Sequence, residues 1–344
     1  MKDILSFSQN ELIEEFAALS LPSYRAKQAY REIHKNGALS FSDITTLPLA
    51  LRQELKEKYA VCPLEIKETF ISRLDGTRKY LFALSDGDFI ESVVMKYKYG
   101  YSICVSSQVG CKMGCAFCAS TLAGFKRNLT PGEILAQVYL AQKDLGQRIS
   151  HIVMMGIGEP LDNFESVTKF IQIVTDENGN NLSGRNISLS TCGIVPKIYE
   201  LMEKKLALTL SVSLHAPNDE IRNKIMPVSK RYSMQALLSA CREYTNNTGR
   251  RISFEYSMIK GVNDSAENAN ELGKKLKGML CHVNLIPINE VKESPYKPSD
   301  KKQIENFVKI LSSYGITATV RRKLGADINA SCGQLRRSRL GSSD

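Results

Sequence analysis

The segment CVSSQVGCKMGCAFCAS, residues 104–120, holds four of the nine cysteines of the chain. Three of them, Cys111, Cys115 and Cys118, follow the spacing C-x3-C-x2-C in a loop that also contains glycines. Glycine lets a loop adopt the backbone conformations that turn several side chains toward one point. Three cysteines on a cluster of four irons leave one iron open, and an open metal site is typical of catalysis. The spacing therefore predicts a catalytic metal centre.

A zinc site is the alternative interpretation of this loop. Structural zinc takes four ligands, usually in two closely spaced pairs, and the three cysteines do not form such a set. The fourth ligand would have to be Cys104 or a distant residue such as Cys192. The iron–sulfur interpretation is favoured because it needs no fourth protein ligand.

Short runs of β-branched residues alternate with longer amphipathic patterns from Tyr101 onward. Strands are predicted over residues 102–107, 150–155, 186–191, 206–214, 251–258 and 282–288. Helices are predicted over residues 130–144, 164–176, 194–204, 234–245, 266–277 and 300–313. Six successive β–α units predict a parallel sheet, and six are too few to close a (β/α)8 barrel. The predicted fold class is therefore α/β, with a partial (β/α)6 barrel.

The loops after the predicted strands contain the chemically distinctive residues. Besides the cysteine-containing loop, they are GIGEP (156–160), STCG (190–193), SLHAP (213–217) and PINE (287–290). Ligands of open parallel sheets bind at the carboxyl ends of the strands. These loops are therefore expected to form one site.

The region before the barrel has a different pattern of predicted secondary structure. Helices are predicted over residues 10–18, 24–35 and 48–59. Short alternating runs with Asp-Gly pairs follow over residues 64–99, as is typical of hairpins. The predicted organisation is a small N-terminal helical accessory domain (1–60), a β-meander extension (61–100), the barrel (101–320) and a C-terminal segment (321–344).

The charge of the 344-residue chain is unevenly distributed. The net charge is +10, whereas residues 1–90 hold 12 basic and 13 acidic side chains, so the positive excess lies in the remainder. Such an excess favours a polyanionic partner, although it could serve solubility alone. No apolar segment has the length of a signal-peptide core or a membrane span. A cytoplasmic protein with no membrane partner is expected, in which the cysteines stay reduced.

The cysteine motif, with Phe117 before its last cysteine and a predicted strand before the loop, resembles the signature of the radical S-adenosylmethionine (SAM) superfamily. The resemblance implies a [4Fe-4S] cluster on the three cysteines and SAM on the open iron. It also implies cleavage of SAM to a 5'-deoxyadenosyl radical. Members share a partial (β/α)6 barrel, which agrees with the predicted strands.

Two further segments narrow the resemblance. GCAFCASTLAGFKRNLTPGEI (114–134) and GADINASCGQLR (325–336) are similar to bacterial methyltransferases that modify carbon 2 of adenine. The match runs from about Glu91 to Arg336, and the N-terminal helices fit the accessory domain of that family. It implies methylation of adenine 2503 in 23S rRNA and of adenine 37 in tRNA, with two SAM molecules per turnover. A reductase or flavodoxin-type electron donor and a monomeric state are also expected.

The chemistry of the target atom explains why further cysteines are needed. Carbon 2 of adenine is electron-poor and cannot attack the electrophilic methyl group of SAM, whereas a thiolate can accept it. The resemblance implies that Cys332 accepts the methyl group and then tethers the RNA. It further implies that Glu91 removes the carbon-2 proton and that Cys104 releases the product by forming a disulfide with Cys332. From the residues alone, Glu91 could be a solvated strand residue and Cys332 a buried structural cysteine, although its basic context argues against the latter.

The resemblance also locates the SAM site, position by position. Gly158 and Glu159 match the segment that receives the methionine amino group, where a carboxylate suits an ammonium. The other matching positions are Ser190, Ser213, Leu214, His215 and Asn289. Taken alone, His215 is more typical of a structural histidine.

Basic residues are expected to form an RNA-binding rim, and the target base must be unpaired or flipped to reach the site. These residues are Lys96, Lys98, Lys126, Arg127 and those in the ranges 321–323 and 336–339. The remaining cysteines, which receive no chemical role, are Cys62, Cys192, Cys241 and Cys281.

Two other functions remain open. A sister family that methylates carbon 8 of the same adenine and confers antibiotic resistance shares the catalytic cysteines, but GEPLDN (158–163) and LIPINE (285–290) resemble the carbon-2 enzymes better. An iron–sulfur redox-sensing RNA-binding protein would need neither SCGQL (331–335) nor the SAM site.

Overall fold

The N-terminal part of the chain is helical. The computed structural model describes residues 1–289, 294–330 and 334. Ser8 and Glu11 exchange hydrogen bonds between side chain and backbone, so the first helix begins with a capping box. The elements are β1 (Lys2–Asp3), α1 (Gln9–Ala18), α2 (Ser23–His34), α3 (Leu49–Lys58) and β2 (Tyr59–Ala60).

An antiparallel meander follows, as predicted. Its strands are β3 (Leu64–Ile71), β4 (Arg78–Leu84) and β5 (Phe89–Tyr97). Gly76 and Gly87 occupy the two turns with φ angles of 72° and 85°, which glycine adopts without strain. The Asp-Gly turns predicted from the sequence are therefore confirmed.

The remainder of the chain alternates between strands and helices. The strands are β6 (Gly100–Cys104), β7 (Gln108–Val109), β8 (Arg127–Asn128), β9 (Ile149–Met154), β10 (Ile187–Thr191), β11 (Thr209–Ser213), β12 (Ile252–Met258), β13 (Cys281–Pro287) and β14 (Ala318–Val320). The helices are α4 (Pro131–Leu145), α5 (Phe164–Thr175), α6 (Val195–Glu203), α7 (Asp219–Ile225), α8 (Met234–Thr248), α9 (Ala266–Leu276) and α10 (Lys301–Ser313). None of the helices in the described ranges has the length and apolar character needed to cross a membrane.

The main sheet has ten strands in the order β14-β13-β12-β11-β10-β9-β6-β5-β4-β3. The strands from β14 to β6 are parallel, and β5, β4 and β3 continue the sheet antiparallel. Among the described residues, β14 and β3 are its two edges, so the barrel is open. The predicted partial barrel and its six strands are confirmed, and β14 adds a seventh parallel strand that was not predicted.

One continuous apolar core connects the N-terminal helices to the barrel. Polar contacts cross the same seam. Tyr30 Oη donates to Asp176 Oδ2 at 2.8 Å, and the ring nitrogen Nδ1 of His34 lies 3.0 Å from Tyr139 Oη. The two parts pack as one body here, and the predicted domain boundaries stay a prediction.

The barrel strands alternate between apolar and polar residues. Ile187 and Leu189 of β10 are fully buried against the surrounding helices, whereas Ser188 bonds across the inner face to Ser211 of β11 at 3.1 Å. The inner face is therefore polar and lined by small side chains. Such a face leaves room for a ligand where bulky aliphatic residues would fill the barrel.

Candidate active site

A cavity opens at the carboxyl ends of the parallel strands, with about 970 Å³ of empty space that includes its open mouth. It collects side chains from the loops that follow the barrel strands. Of the predicted site residues, it is lined by Cys111, Cys115, Cys118, Gly158, Glu159, Ser190, Ser213, His215 and Asn289. The structure thus brings together residues that lie up to 178 positions apart in the sequence.

The cysteine loop, residues 105–126, is fixed at both ends of its cysteine motif. Gly110 has a φ angle of 78°, and a Cβ atom there would overlap the carbonyl oxygen of Gly124. Farther along, the backbone N–H of Ala116 donates to the carbonyl of Ile225 at 3.0 Å. The loop is therefore held against α7 as well as folded on itself.

The three thiols of this loop face the cavity together. Burial raises the pKa of the Cys111 thiol to about 12 and that of Cys115 well above its usual value. In the ranges that the structure describes, no three His, Cys, Asp or Glu side chains form a preformed metal-binding group. Buried thiols stay protonated and apart until a metal stabilises the thiolates. Three sulfur donors on one cavity wall fit an iron–sulfur cluster by ligand type.

Glu159 is a buried carboxylate on the cavity wall, only 4% exposed. Its oxygens accept hydrogen bonds from the backbone N–H groups of Leu161 at 3.0 Å and Cys192 at 2.7 Å. Burial raises the pKa of this carboxyl, so its anionic form would be stabilised by a cationic partner. At Gly158, with φ of 109°, a Cβ atom would press against Gln108 at 2.6 Å.

His215 is held as a neutral ring in the left-handed backbone region, with φ of 55°. The backbone N–H of Ser257 donates to its Nδ1 at 2.9 Å, so the ring proton is on Nε2. Burial lowers the pKa of His215 to about 3. The ring packs edge-on against Phe117 with centroids 4.9 Å apart. By contrast, Leu214 is fully buried and its side chain does not line the cavity, so only its backbone could contribute.

A second cavity adjoins the first and contains Cys104. Cys104 of β6 lies opposite Val93 of β5 in the sheet, and both residues line this cavity. Glu91 lies two positions before Val93, on the same face of β5, and is 8% exposed. Lys79 Nζ lies 3.1 Å from Glu91 Oε1, and both side chains are about nine-tenths buried. The interpretation of Glu91 as a solvated strand residue is therefore wrong.

Several residues of the site had no predicted role. Cys192, for which no chemical role was predicted, lines the first cavity. Glu255 of β12 is 3% exposed on the cavity wall and accepts hydrogen bonds from Ser253 at 2.9 Å and Asn284 at 2.7 Å. A glutamate as the one charged residue of the segment ISFEYSM, within the predicted strand, was the available signal.

The predicted basic rim is only partly available to a ligand. Arg127 forms paired hydrogen bonds with Glu133, both at 2.8 Å, and Lys126 is ion-paired with Asp88. These two residues are engaged within the protein. Arg321 lines both cavities, and its neighbours at 322 and 323 line the second. Residues 336–339 and Cys332 lie outside the described residues.

Comparison with known proteins identifies the family. The family model described as "Radical SAM superfamily" matches residues 105–272. The model described as "Ribosomal RNA large subunit methyltransferase N-terminal domain" matches residues 2–61. A protein of Clostridium botulinum (strain Eklund 17B / Type B), "Probable dual-specificity RNA methyltransferase RlmN", is 55% identical over 98% of this chain and 97% of its own length. This chain belongs to the RlmN family.

Other members agree with this assignment. A Lachnospira eligens protein with the same name is 52% identical over 98% of this chain and 96% of its own length. The crystal structure of a radical SAM methyltransferase from Sphaerobacter thermophilus superposes with a TM-score of 0.95 at 42% identity, covering 97% of this chain and 99% of that chain. The predicted family, the fold class and the assignment as a radical SAM methyltransferase are confirmed. Membership of the superfamily implies a [4Fe-4S] cluster and SAM.

Proposed function

We propose that the protein adds a methyl group to carbon 2 of adenine 2503 in 23S rRNA and of adenine 37 in tRNA. The observation that carries the proposal is the shared wall between the two cavities, to which Met155, Asn289 and Arg321 contribute. One cavity holds the three thiols of the cysteine loop, and the other holds Cys104. The cysteines proposed to hold the cluster therefore lie on one side of that wall, and Cys104, the residue proposed to release the product, lies on the other.

The first cavity would hold the two cofactors. Cys111, Cys115 and Cys118 would bind the [4Fe-4S] cluster, and Glu159 would receive the ammonium group of SAM, consistent with its buried carboxylate. Together the bound cluster and SAM supply a carbon-centred oxidant. Two SAM molecules would be used per turnover, one as the methyl donor and one as the source of that oxidant.

Polar groups around the cavity would orient SAM. They are Ser190, Ser213, the Nε2–H of His215, the backbone of Leu214 and Asn289. Most of them end or follow a strand of the polar inner face. Rigid strand ends can place a ligand more accurately than mobile loops can.

The second cavity would receive the adenine. Cys332 lies two positions after Ala330, which lines this cavity with Cys104. The Cys332 thiolate would accept the methyl group as a thioether. Loss of a hydrogen atom from this S-methyl group to the carbon-centred oxidant would let its carbon bond to carbon 2. Glu91 would then take the carbon-2 proton. After one electron of the adduct has returned to the cluster, attack of the Cys104 thiolate on the Cys332 sulfur would form the disulfide and break the sulfur–carbon bond. The departing carbon would keep the electron pair of that bond and take up a proton, which gives the methyl group of the product.

RNA binding would involve the basic residues near the second cavity. Arg321 and its two neighbours, 322 and 323, carry positive charge at the cavity wall, which suits phosphates flanking a flipped base. The printed name of the relatives supports RNA as the substrate class. A reductase or flavodoxin-type electron donor and a monomeric enzyme complete the proposal.

Product analysis tests this proposal against the sister activity. The reconstituted, anaerobically reduced protein is incubated with SAM and transcripts of 23S rRNA or tRNA. The digested RNA is examined by liquid chromatography and mass spectrometry against standards of the two isomeric methyladenosines. We expect 2-methyladenosine and 5'-deoxyadenosine. An 8-methyladenosine product would instead identify the carbon-8 activity, and the absence of both methylated adenosines and of 5'-deoxyadenosine would identify a redox sensor.

A further inference from the structure

Arg222 of α7 is fully buried, and it has more hydrogen-bonding capacity than the structure uses. Its Nη2 donates to the carbonyls of Cys192 at 2.7 Å and Ser213 at 3.3 Å, and its Nε donates to that of Leu214 at 3.2 Å. Arg222 therefore connects the end of β11 to the loops that follow β10 and β11. Its Nη1 donates to no acceptor in the described part of the chain, and its three acceptors are neutral carbonyls that do not balance its positive charge.

The charge of Arg222 has no carboxylate in contact with it. Among the described residues, no Asp or Glu oxygen lies within 4.0 Å of its nitrogens. Asp219, on the same helix, is near enough to act electrostatically, but its Oδ1 accepts the backbone N–H of Met234 at 2.7 Å. Burying a charge without a partner in contact is strongly unfavourable.

The other ionisable groups that interact electrostatically with Arg222 are the neutral His215 ring and three cysteines. Cys115 of the cysteine loop, Cys192 after β10 and Cys241 of α8 all interact electrostatically with it. A thiol carries no charge that could balance the arginine, whereas a cysteine that binds a metal does so as a thiolate.

The helix that carries Arg222 also touches the cysteine loop directly. The Ile225 carbonyl accepts the N–H of Ala116, which directly follows Cys115. We propose that Arg222 is a positioning residue for the cluster, whose buried positive charge compensates the thiolate-bound cluster and favours its reduced form. Reduction makes the cluster more negative, so a fixed positive charge nearby stabilises the reduced form more than the oxidised form. This inference rests on the cluster site proposed above.

The experiment compares Arg222→Gln, which removes the charge, with Arg222→Lys, which keeps it. The cluster of each reconstituted full-length variant is titrated by spectroelectrochemistry without substrate. At a fixed solution potential, the ratio of reduced to oxidised cluster should fall about tenfold in Arg222→Gln, equivalent to about 59 mV. In Arg222→Lys, the ratio of reduced to oxidised cluster should stay close to that of the wild type. Arg250→Gln is the matched control, because Arg250 also donates to a backbone carbonyl, that of Leu208 at 2.6 Å, but before the amino end of β12.

The outcomes separate this inference from the proposed function. A wild-type protein that binds no iron–sulfur cluster would overturn both. A wild-type protein that binds the cluster, with an unchanged ratio in Arg222→Gln, would overturn only the role of Arg222. Equal decreases in Arg222→Gln and Arg222→Lys would also overturn it, since the charge would then not be the cause.

A measurement on the wild-type protein covers the case in which the variants do not retain the cluster. Protein labelled with 15N in the arginine guanidinium groups is reduced and examined by pulsed electron paramagnetic resonance. An arginine 15N coupling to the cluster that persists in Arg321→Lys, a change at the arginine that lines the first cavity, supports the inference. The absence of any such coupling in the wild type contradicts it.

Discussion

Lys79 and Glu91 form a buried ion pair whose removal should be costly. Their side chains are 11% and 10% exposed, and Nζ lies 3.1 Å from Oε1. Lys79→Met removes the buried cation beside the Glu91 carboxylate, so we expect the free energy of unfolding to fall by about 3–5 kcal/mol. Urea denaturation of the cluster-free protein measures this change. Lys79→Arg should retain most of the stability, and a loss below about 1 kcal/mol in Lys79→Met would show that the pair is not buried as described.

The two proposed reaction cysteines are distinguished by the species that each variant accumulates. Cys104→Ala should form a covalent protein–RNA adduct, because the tether can form but cannot be released by disulfide formation. Cys332→Ala should form none. Denaturing electrophoresis of reactions with labelled RNA detects the adduct, and Cys241→Ala, a change in the apolar core, is the control. Adduct in Cys332→Ala, or none in Cys104→Ala, would contradict the assigned roles.

Individual site residues show where sequence reasoning stops. Glu159 and His215 were predicted because they follow strands in motifs that resemble those of a known family. Arg222 and Glu255 were not, because their importance comes from burial on faces that only the packed structure defines. The same limit applies to Leu214, whose neighbours line the cavity while its own side chain points into the core.

Among the secondary structure elements, the length of each helix or strand decided whether it could be predicted from the sequence. The six main barrel strands carry enough β-branched residues for their periodicity to be recognised. β14 has three residues and α7 has seven, and the periodicity of such short segments is indistinct. The β7–β8 pair was missed for a related reason, since each strand has only two residues and the cysteine loop separates them in the sequence.

The cysteine loop depends on the close approach of two backbone segments. Gly110→Ala would place a Cβ atom onto the Gly124 carbonyl, so we expect the loop to shift and reconstituted iron content to fall several-fold. Gly124→Ala is the matched control, because its φ of 66° is also positive but nothing lies within 4 Å of the added Cβ. Iron analysis and the visible absorbance of the cluster provide the measurement. Equal losses of iron in both variants would show that the positive φ angle, and not the contact with the Gly124 carbonyl, is what requires glycine.

For the whole molecule, the seam between the N-terminal helices and the barrel should make stability depend on pH. Burial lowers the pKa of His34, which lies at this seam, from 6.5 to about 3. Between pH 6.5 and pH 3, the His34 side chain binds a proton in the unfolded chain but stays neutral in the folded chain. Stability from this residue is therefore complete above pH 6.5 and is lost as the pH falls toward 3.

His34→Gln tests this linkage. Between pH 7 and pH 5, the free energy of unfolding of the wild type should decrease by about 2 kcal/mol more than that of the variant. Denaturant titrations at several pH values measure the difference. Tyr139→Phe removes the hydroxyl near His34 without removing the titrating ring, so it should keep the wild-type pH dependence. Parallel pH profiles of the wild type and His34→Gln would show that the seam opens to water.

The gap in the barrel wall is bridged by chain that follows β14. The backbone N–H of Gly325 donates to Asp75 at 2.9 Å, and Asp327 accepts hydrogen bonds from Ser72 at 2.7 Å and the Arg73 N–H at 2.9 Å. This crossing is fastened to the β3–β4 hairpin by side chains and not by a strand ladder. Detaching it would break these few hydrogen bonds, each worth about 1 kcal/mol, and the apolar contacts of Leu324, Ile328 and Ala330. A nucleotide in the middle of a long polymer, whose ends are far away, could therefore enter sideways, without being threaded through a ring.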